Sequence, residues 1–250
     1  MPGSAGTDVL VHQGADAVAE ALATRLLARL AELQRAGRTP QLALTGGRIA
    51  TVAYQRLAAE GANSAVDWSR VDLWWGDERF VAASDDDRND RQALDLLAEP
   101  LHLDPARIHR MPADDGGADL DQSAEDYANE LGSTTFDICL LGMGPDGHVA
   151  SLFPEHPSSY AAGEVIAVRA APKPPPERLS VTLSVINRSR EVWFVVSGTE
   201  KAAAVRLALT GAGAVQVPAA GVAGVERTLW LLDREAASEL PADLAQRGIV

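Results

Sequence analysis

The segment Leu141-Gly142-Met143-Gly144-Pro145-Asp146-Gly147-His148 packs three glycines, a carboxylate and an imidazole into eight residues. Glycines let a loop turn its backbone amides inward as donors to a developing oxyanion, and Gly142 and Gly144 are the candidates for that role. Histidine is the side chain suited to moving protons near neutral pH. With Asp146 beside it, His148 is a candidate general base for acyl chemistry. The remaining histidines, His12, His102, His109 and His156, lack such surroundings and read as structural.

Three other segments carry groups suited to an anionic substrate. Thr45-Gly46-Gly47-Arg48 places a glycine pair before a helical pattern, where close backbone approach and free amides suit phosphate, although a tight turn alone needs the same residues. Trp75-Gly76-Asp77-Glu78-Arg79-Phe80 supplies Arg79 for bidentate phosphate contact and Asp77 to orient a cation or a substrate hydroxyl, against the alternative of a solvated turn. In Pro172-Lys173-Pro174-Pro175-Pro176-Glu177-Arg178 the prolines stiffen a loop carrying the cations Lys173 and Arg178. Lysine occurs only at Lys173 and Lys201, while arginine supplies the other 20 of the 22 basic residues. Lys201 reads as structural or supporting, because Ser197-Gly198-Thr199-Glu200 has the form of a capping box ahead of it.

These groups need a frame. From Gly14 to Ala36, Val18, Leu22, Leu26, Leu30 and Leu33 recur at helical spacing and give one buried stripe. A strand is predicted before it at Asp8 to Val11, and further strands at Gln41 to Leu44, Val71 to Trp75, near Arg107 to Met111, Phe136 to Leu141, Val165 to Arg169, Leu179 to Thr182, Glu191 to Val196 and Thr228 to Leu232. Helices are predicted from Ile49 to about Glu60, Asn89 to Leu97, Leu120 to Leu131 and Lys201 to about Leu209, with an acidic loop following Trp75. Such βα alternation predicts an α/β, Rossmann-like fold: a mostly parallel sheet with helices on both faces. Ligands of such sheets gather at the carboxyl ends of strands, which directs attention to the loops after Leu44, Trp75 and Leu141 and to the turn at Lys173. No internal repeat or low-complexity tract divides the chain, so residues 1–250 are read as one domain.

Composition excludes several classes of function. A net charge of −13 argues against nucleic acid, which requires a clustered basic face. No run approaches the roughly 18–20 apolar residues of a membrane span, and the opening MPGSAGTDVLVHQGAD has neither the basic nor the apolar region of a signal peptide. A cytoplasmic protein without membrane association is expected. The single cysteine, Cys139, lies in the apolar run FDICLL and reads as a buried small hydrophobe. Asp85-Asp86-Asp87 has no histidine or cysteine at ligand spacing and lacks the calcium-loop glycine, so it reads as solvated loop and no metal is expected. There is no G-x-S-x-G turn of a serine hydrolase.

Taken in order, TGGR, WWGDERFV, the Arg88-Asn89 pair, LLGMGPDGHVASLFP and PKPPPERLSVTL resemble the 6-phosphogluconolactonases, within the larger family shared with glucosamine-6-phosphate deaminases. The GMGPDGH loop running into SLFP is the specific part and looks like the lactonase branch. The deaminase branch typically continues toward a glutamate used in ring opening, and no such glutamate precedes Pro154 here. The resemblance implies a Rossmann-like α/β fold and metal-free hydrolysis of a sugar-phosphate lactone to 6-phosphogluconate in the pentose phosphate pathway; no cofactor is expected, and the chain is read as a monomer or weak homodimer. It places the base on His148, an orienting role on Asp77, and anion binding on Arg79, Lys173, Arg178, Gly46 and Gly47. Two departures stand out. Thr45 and Arg48 replace the serines of the usual SGGST loop, leaving Arg48 to contact phosphate or to turn outward, and Val149 replaces a usual threonine. Two other readings fit the same motifs: an amino-sugar phosphate isomerase or deaminase, with Asp77 moving a proton between C1 and C2, and a catalytically silent sugar-phosphate sensor.

Overall fold

The leucine stripe of the first helix shows how the chain organises itself. Val18, Leu22, Leu26, Leu30 and Leu33 are all buried along α1 (Ala15–Arg35), which lies against one face of a sheet. The computed structural model describes residues 6–245; the reading of the first residues as leaderless, and the bounds 1–250, extend beyond them.

Strands β1 (Gly6–His12), β2 (Gln41–Leu44), β3 (Asp72–Trp75), β5 (Ile138–Leu141), β8 (Glu191–Val196) and β9 (Arg227–Asp233) form a six-stranded sheet in the order β1-β9-β8-β5-β2-β3. Every neighbouring pair runs parallel. A parallel sheet must be covered on both sides, and the alternation of side chains shows that it is. Leu42, Leu44, Leu73, Trp75, Ile138 and Leu140 join the core beneath α1, α2 (Arg48–Gly61) and α3 (Asn89–Leu97). Ala43, Trp74, Cys139, Leu141, Phe194 and Val196 point the other way, into a core shared with α4 (Leu120–Leu131), α5 (Leu183–Asn187) and α6 (Ala202–Leu209). Cys139 is fully buried there, and that burial pushes its thiol up to about 12 despite a hydrogen bond with Ser189. A short last helix, α7 (Ala242–Ala245), ends the described chain. Among the described residues no helix is long and apolar enough to cross a membrane.

Three local expectations are corrected. The acidic segment after Trp75 is a strand, β4 (Asp77–Arg79), pairing antiparallel with β7 (Arg178–Val181), which in turn pairs with β6 (Val165–Val168). Its charges suggested a loop, but Glu78 is fully buried and its carboxylate accepts the amides of Arg79, Asn89 and Asp90 at 2.7–2.8 Å. Arg107 to Met111 is no strand: a single bridge joins Ile108 to Leu73 after a 3-10 turn at Pro105–Arg107. The capping box does not form, because Asp233 at the end of β9 takes both the Ser197 hydroxyl, at 2.6 Å, and the Gly198 amide, at 3.2 Å.

The chain leaves β2 toward β3 on one side, whereas β5 is followed by β8 and β9 on the other. The crossovers therefore diverge between β2 and β5, opening a crevice at the carboxyl ends of these strands.

Candidate active site

A cavity of about 550 Å³ occupies this crevice. Its walls include Gly46, Gly47 and Arg48 after β2, Asp77 and Arg79 on β4, Gly142, Gly144 and His148 after β5, and Lys173 and Arg178 from the proline loop and β7. Segments separated by more than a hundred residues in the chain are thus brought to one place.

The glycine loops are held together by a small set of bonds. Tyr54 of α2 uses its hydroxyl to bind both the amide of Thr45, at 3.0 Å, and its carbonyl, at 2.7 Å. Thr45 Oγ1 in turn accepts the Gly142 amide at 3.2 Å, joining the loop after β2 to the loop after β5. Gly47 caps α2 at φ 103°, in the left-handed region, without any side-chain cap, so no cap masks the first-turn amides of that helix, whose residues Arg48 and Ile49 line the cavity.

His148 is fixed from behind. Its Nδ1 lies 2.5 Å from Asp146 Oδ1, its backbone amide reaches the same oxygen at 3.4 Å, and its ring rests on Phe153 with centroids 4.8 Å apart. Burial raises Asp146, but the hydrogen bond and charge of His148 outweigh it and hold the carboxyl at about 2. An ionised Asp146 can only accept, so Nδ1 must carry the proton. The lone pair of the neutral ring is then on Nε2, toward the cavity that His148 lines. Asp146 itself does not line the cavity.

The two proposed oxyanion donors are corrected. Gly144 donates its amide to the carbonyl of His148 at 2.9 Å, and Gly142 donates to Thr45. Gly144 serves space instead: a Cβ there would lie 2.0 Å from His148 Nδ1 and 2.3 Å from Asp146 Oδ1.

Asp77 is buried, with Oδ2 accepting the hydroxyl of Ser151 at 2.7 Å and its carbonyl accepting Asn89 Nδ2 at 3.0 Å. Beneath them Arg88 is fully buried in a bidentate pair with Asp90, at 2.8 and 3.0 Å, and also donates to the Met111 carbonyl. This ion pair fixes the start of α3 and hence Asn89.

The cations divide into anchored and free-ended groups. Arg178 is buried, donates to the carbonyls of Lys173, Pro174 and Pro175 at 2.9–3.2 Å, and sits 5.7 Å over the Phe153 ring. Burial lowers its guanidinium from the usual value, with Arg79 adding to that and Asp77 opposing it. Arg79, paired across the small sheet with Arg178, donates to the Asp87 carbonyl while its Nε has no partner. Arg48 is almost fully exposed at the rim, 3.7 Å from Glu200.

Sequence reasoning missed Lys201 as part of this site. The failed capping box leaves Lys201 in the turn before α6, lining the cavity, where burial lowers it below the usual lysine value. The signal was present in composition: both lysines of the chain face one cavity. Asn89 also lines it. The four other histidines lie outside the cavity lining; His109, for example, stacks on Trp74 with ring centroids 3.8 Å apart. Asp85 to Asp87 lie outside it too, on a partly exposed turn, and among the described residues no three His, Cys, Asp or Glu side chains converge as a metal site would require.

The family model described as glucosamine-6-phosphate isomerases/6-phosphogluconolactonase matches residues 13–230. The chain is similar to a 6-phosphogluconolactonase of Streptomyces coelicolor, 47% identical over 94% of this chain and 95% of that protein. It is also similar to one from Mycobacterium tuberculosis, 41% identical over 94% of this chain and 99% of that protein. A crystal structure of 6-phosphogluconolactonase from Thermotoga maritima superposes with a TM-score of 0.81 at 25% identity, covering 91% of this chain and all of that one.

Proposed function

Because the chain belongs to the family of glucosamine-6-phosphate isomerases and 6-phosphogluconolactonases, we propose that it hydrolyses 6-phosphoglucono-1,5-lactone to 6-phosphogluconate, as a step of the oxidative pentose phosphate pathway. The observation that carries this reading is the Asp146–His148 pair, which leaves Nε2 free of any protein partner among the described residues, in a cavity that Arg79, Lys173, Arg178 and Lys201 also line.

In this mechanism the phosphate, remote from the reacting carbon, is held by Lys173, Arg178, Arg79 and the amides at Gly46, Gly47 and the start of α2. Arg48 at the rim adds a contact by swinging in from Glu200. Such binding positions the lactone without taking part in the chemistry. Neutral His148 accepts a proton from water at Nε2 as the water oxygen attacks C1. The carbonyl oxygen becomes an oxyanion, the bond from C1 to the ring oxygen breaks, and the imidazolium returns its proton to that oxygen. Asp146 stabilises the imidazolium in between. Asp77 faces the sugar as an acceptor.

The test of the reaction class is a paired assay. With 6-phosphogluconolactone the protein accelerates acid release; with glucosamine 6-phosphate it liberates no ammonia. Ammonia release without lactone hydrolysis reverses the assignment in favour of the deaminase branch.

A further inference from the structure

Ser151 belongs to the SLFP segment that marks the sequence motif, yet it is completely buried and lies outside the cavity lining. A buried hydroxyl must find a partner, and the partner here is a carboxylate of the site: Ser151 Oγ donates to Asp77 Oδ2 at 2.7 Å. The serine is itself held, its amide donating to Ser180 Oγ at 3.1 Å while that hydroxyl donates to the Val181 carbonyl at 3.0 Å. Ser180 is the register partner of Asp77 across β4 and β7. Asp77 is thus fixed at its backbone by the small sheet and by Asn89, and at its carboxylate by Ser151.

With Oδ2 committed, Oδ1 is the carboxylate oxygen left for the cavity that Asp77 lines, and no donor among the described residues reaches it. Beside it stands Asn89, whose buried Oδ1 also has no partner. That oxygen is packed against Gly46, where a Cβ would lie 1.9 Å from it. A carboxylate oxygen does not bind phosphate. It can accept from hydroxyl groups, and a site built to do so rejects analogues that lack them, because its own polar atoms are then left unpaired.

We propose that Ser151 is a positioning residue that locks Asp77 as a hydroxyl acceptor, so that Asp77 selects a polyhydroxylated lactone over its deoxy counterparts. The proposal rests on the lactonase reading above and adds to it a determinant of specificity.

The test compares hydrolysis of 6-phosphogluconolactone and of its 2-deoxy, 3-deoxy and 4-deoxy counterparts by the parent protein and Ser151→Ala. The parent is expected to lose at least about tenfold in kcat/KM on one deoxy lactone. Ser151→Ala is expected to lose about tenfold on the full substrate, mainly in KM, and little further on that same deoxy lactone. Asp77→Asn provides the same comparison should Ser151→Ala fail to fold. Equal losses on all four lactones overturn the proposal in favour of a merely structural serine, and so does a Ser151→Ala protein with unchanged kinetics or a parent indifferent to every hydroxyl. A parent protein inactive on the full lactone is a different failure, since it removes the lactonase reading itself.

Discussion

Nδ1 of His148 stands 2.5 Å from Oδ1 of Asp146, two residues before it in the chain. This contact decides which nitrogen of the ring is available for chemistry, and Gly144 decides whether the contact can exist, since any larger residue there would occupy its space. A motif that looks like a flexible glycine loop is in this respect a rigid mount for one tautomer.

Asp146→Asn tests the tautomer directly. An asparagine can present an N–H to Nδ1, which places the ring proton on Nε2 and removes the base. The expected result is a kcat lower by about 10²-fold or more with KM little changed. A variant with parental kcat removes Asp146 from the account.

Gly144→Ala should act through geometry. The added Cβ would fall 2.0 Å from His148 Nδ1, so the imidazole or the carboxylate must shift by more than an ångström. Misplacement on that scale costs about 10²-fold in rate. Steady-state kinetics beside a thermal melt check it: the account expects activity to collapse in a folded protein, and an alanine variant of parental kcat contradicts it.

Lys173 and Arg178 are predicted to separate. Arg178 ties down three carbonyls of the proline loop, so Arg178→Ala should cost about 2 kcal/mol of stability, roughly 4–8 °C in Tm, and raise KM as well. Lys173→Ala should raise KM and leave Tm within about a degree, as a surface change does. Identical effects of the two substitutions count against the anchoring role of Arg178.

Asp146 also predicts a pH dependence of stability. Its carboxyl is held at about 2 against an ordinary 3.8, so its contribution is present above the ordinary value and disappears as pH falls toward about 2. The stability gap between the parent and Asp146→Asn should therefore close as pH falls from about 4 toward about 2. Urea denaturation across this range measures it, and a gap that persists or widens toward about pH 2.5 contradicts the pairing.

Much of this was legible from the sequence where a single physical rule governed the outcome. The helix at Asn89–Leu97, the helix at Leu120–Leu131 and the strand at Glu191–Val196 fall where periodicity and apolar runs put them. The loops after Leu44 and Leu141 were legible because strand ends in parallel sheets gather ligands. What could not be read depended on partners far away in the chain. Glu78 looked solvated because nothing local shows that three backbone amides would receive its carboxylate in a buried strand. Ser197 and Glu200 had capping spacing, but Asp233, 36 residues on, claimed the serine. The amides of Gly142 and Gly144 were available in the sequence and are taken in the fold by Thr45 and His148. Lys201 was misread for the same reason, since its place in the cavity follows from the turn that replaces the expected cap.

The most direct test of the account is the initial rate of hydrolysis of freshly generated 6-phosphogluconolactone, corrected for spontaneous opening, for the parent protein and His148→Ala with EDTA present throughout. The account predicts turnover by the parent that EDTA does not diminish, and a loss of about 10²- to 10⁴-fold in kcat in the variant with KM nearly unchanged. A His148→Ala protein that keeps parental kcat, or a parent no faster than the spontaneous reaction, contradicts it.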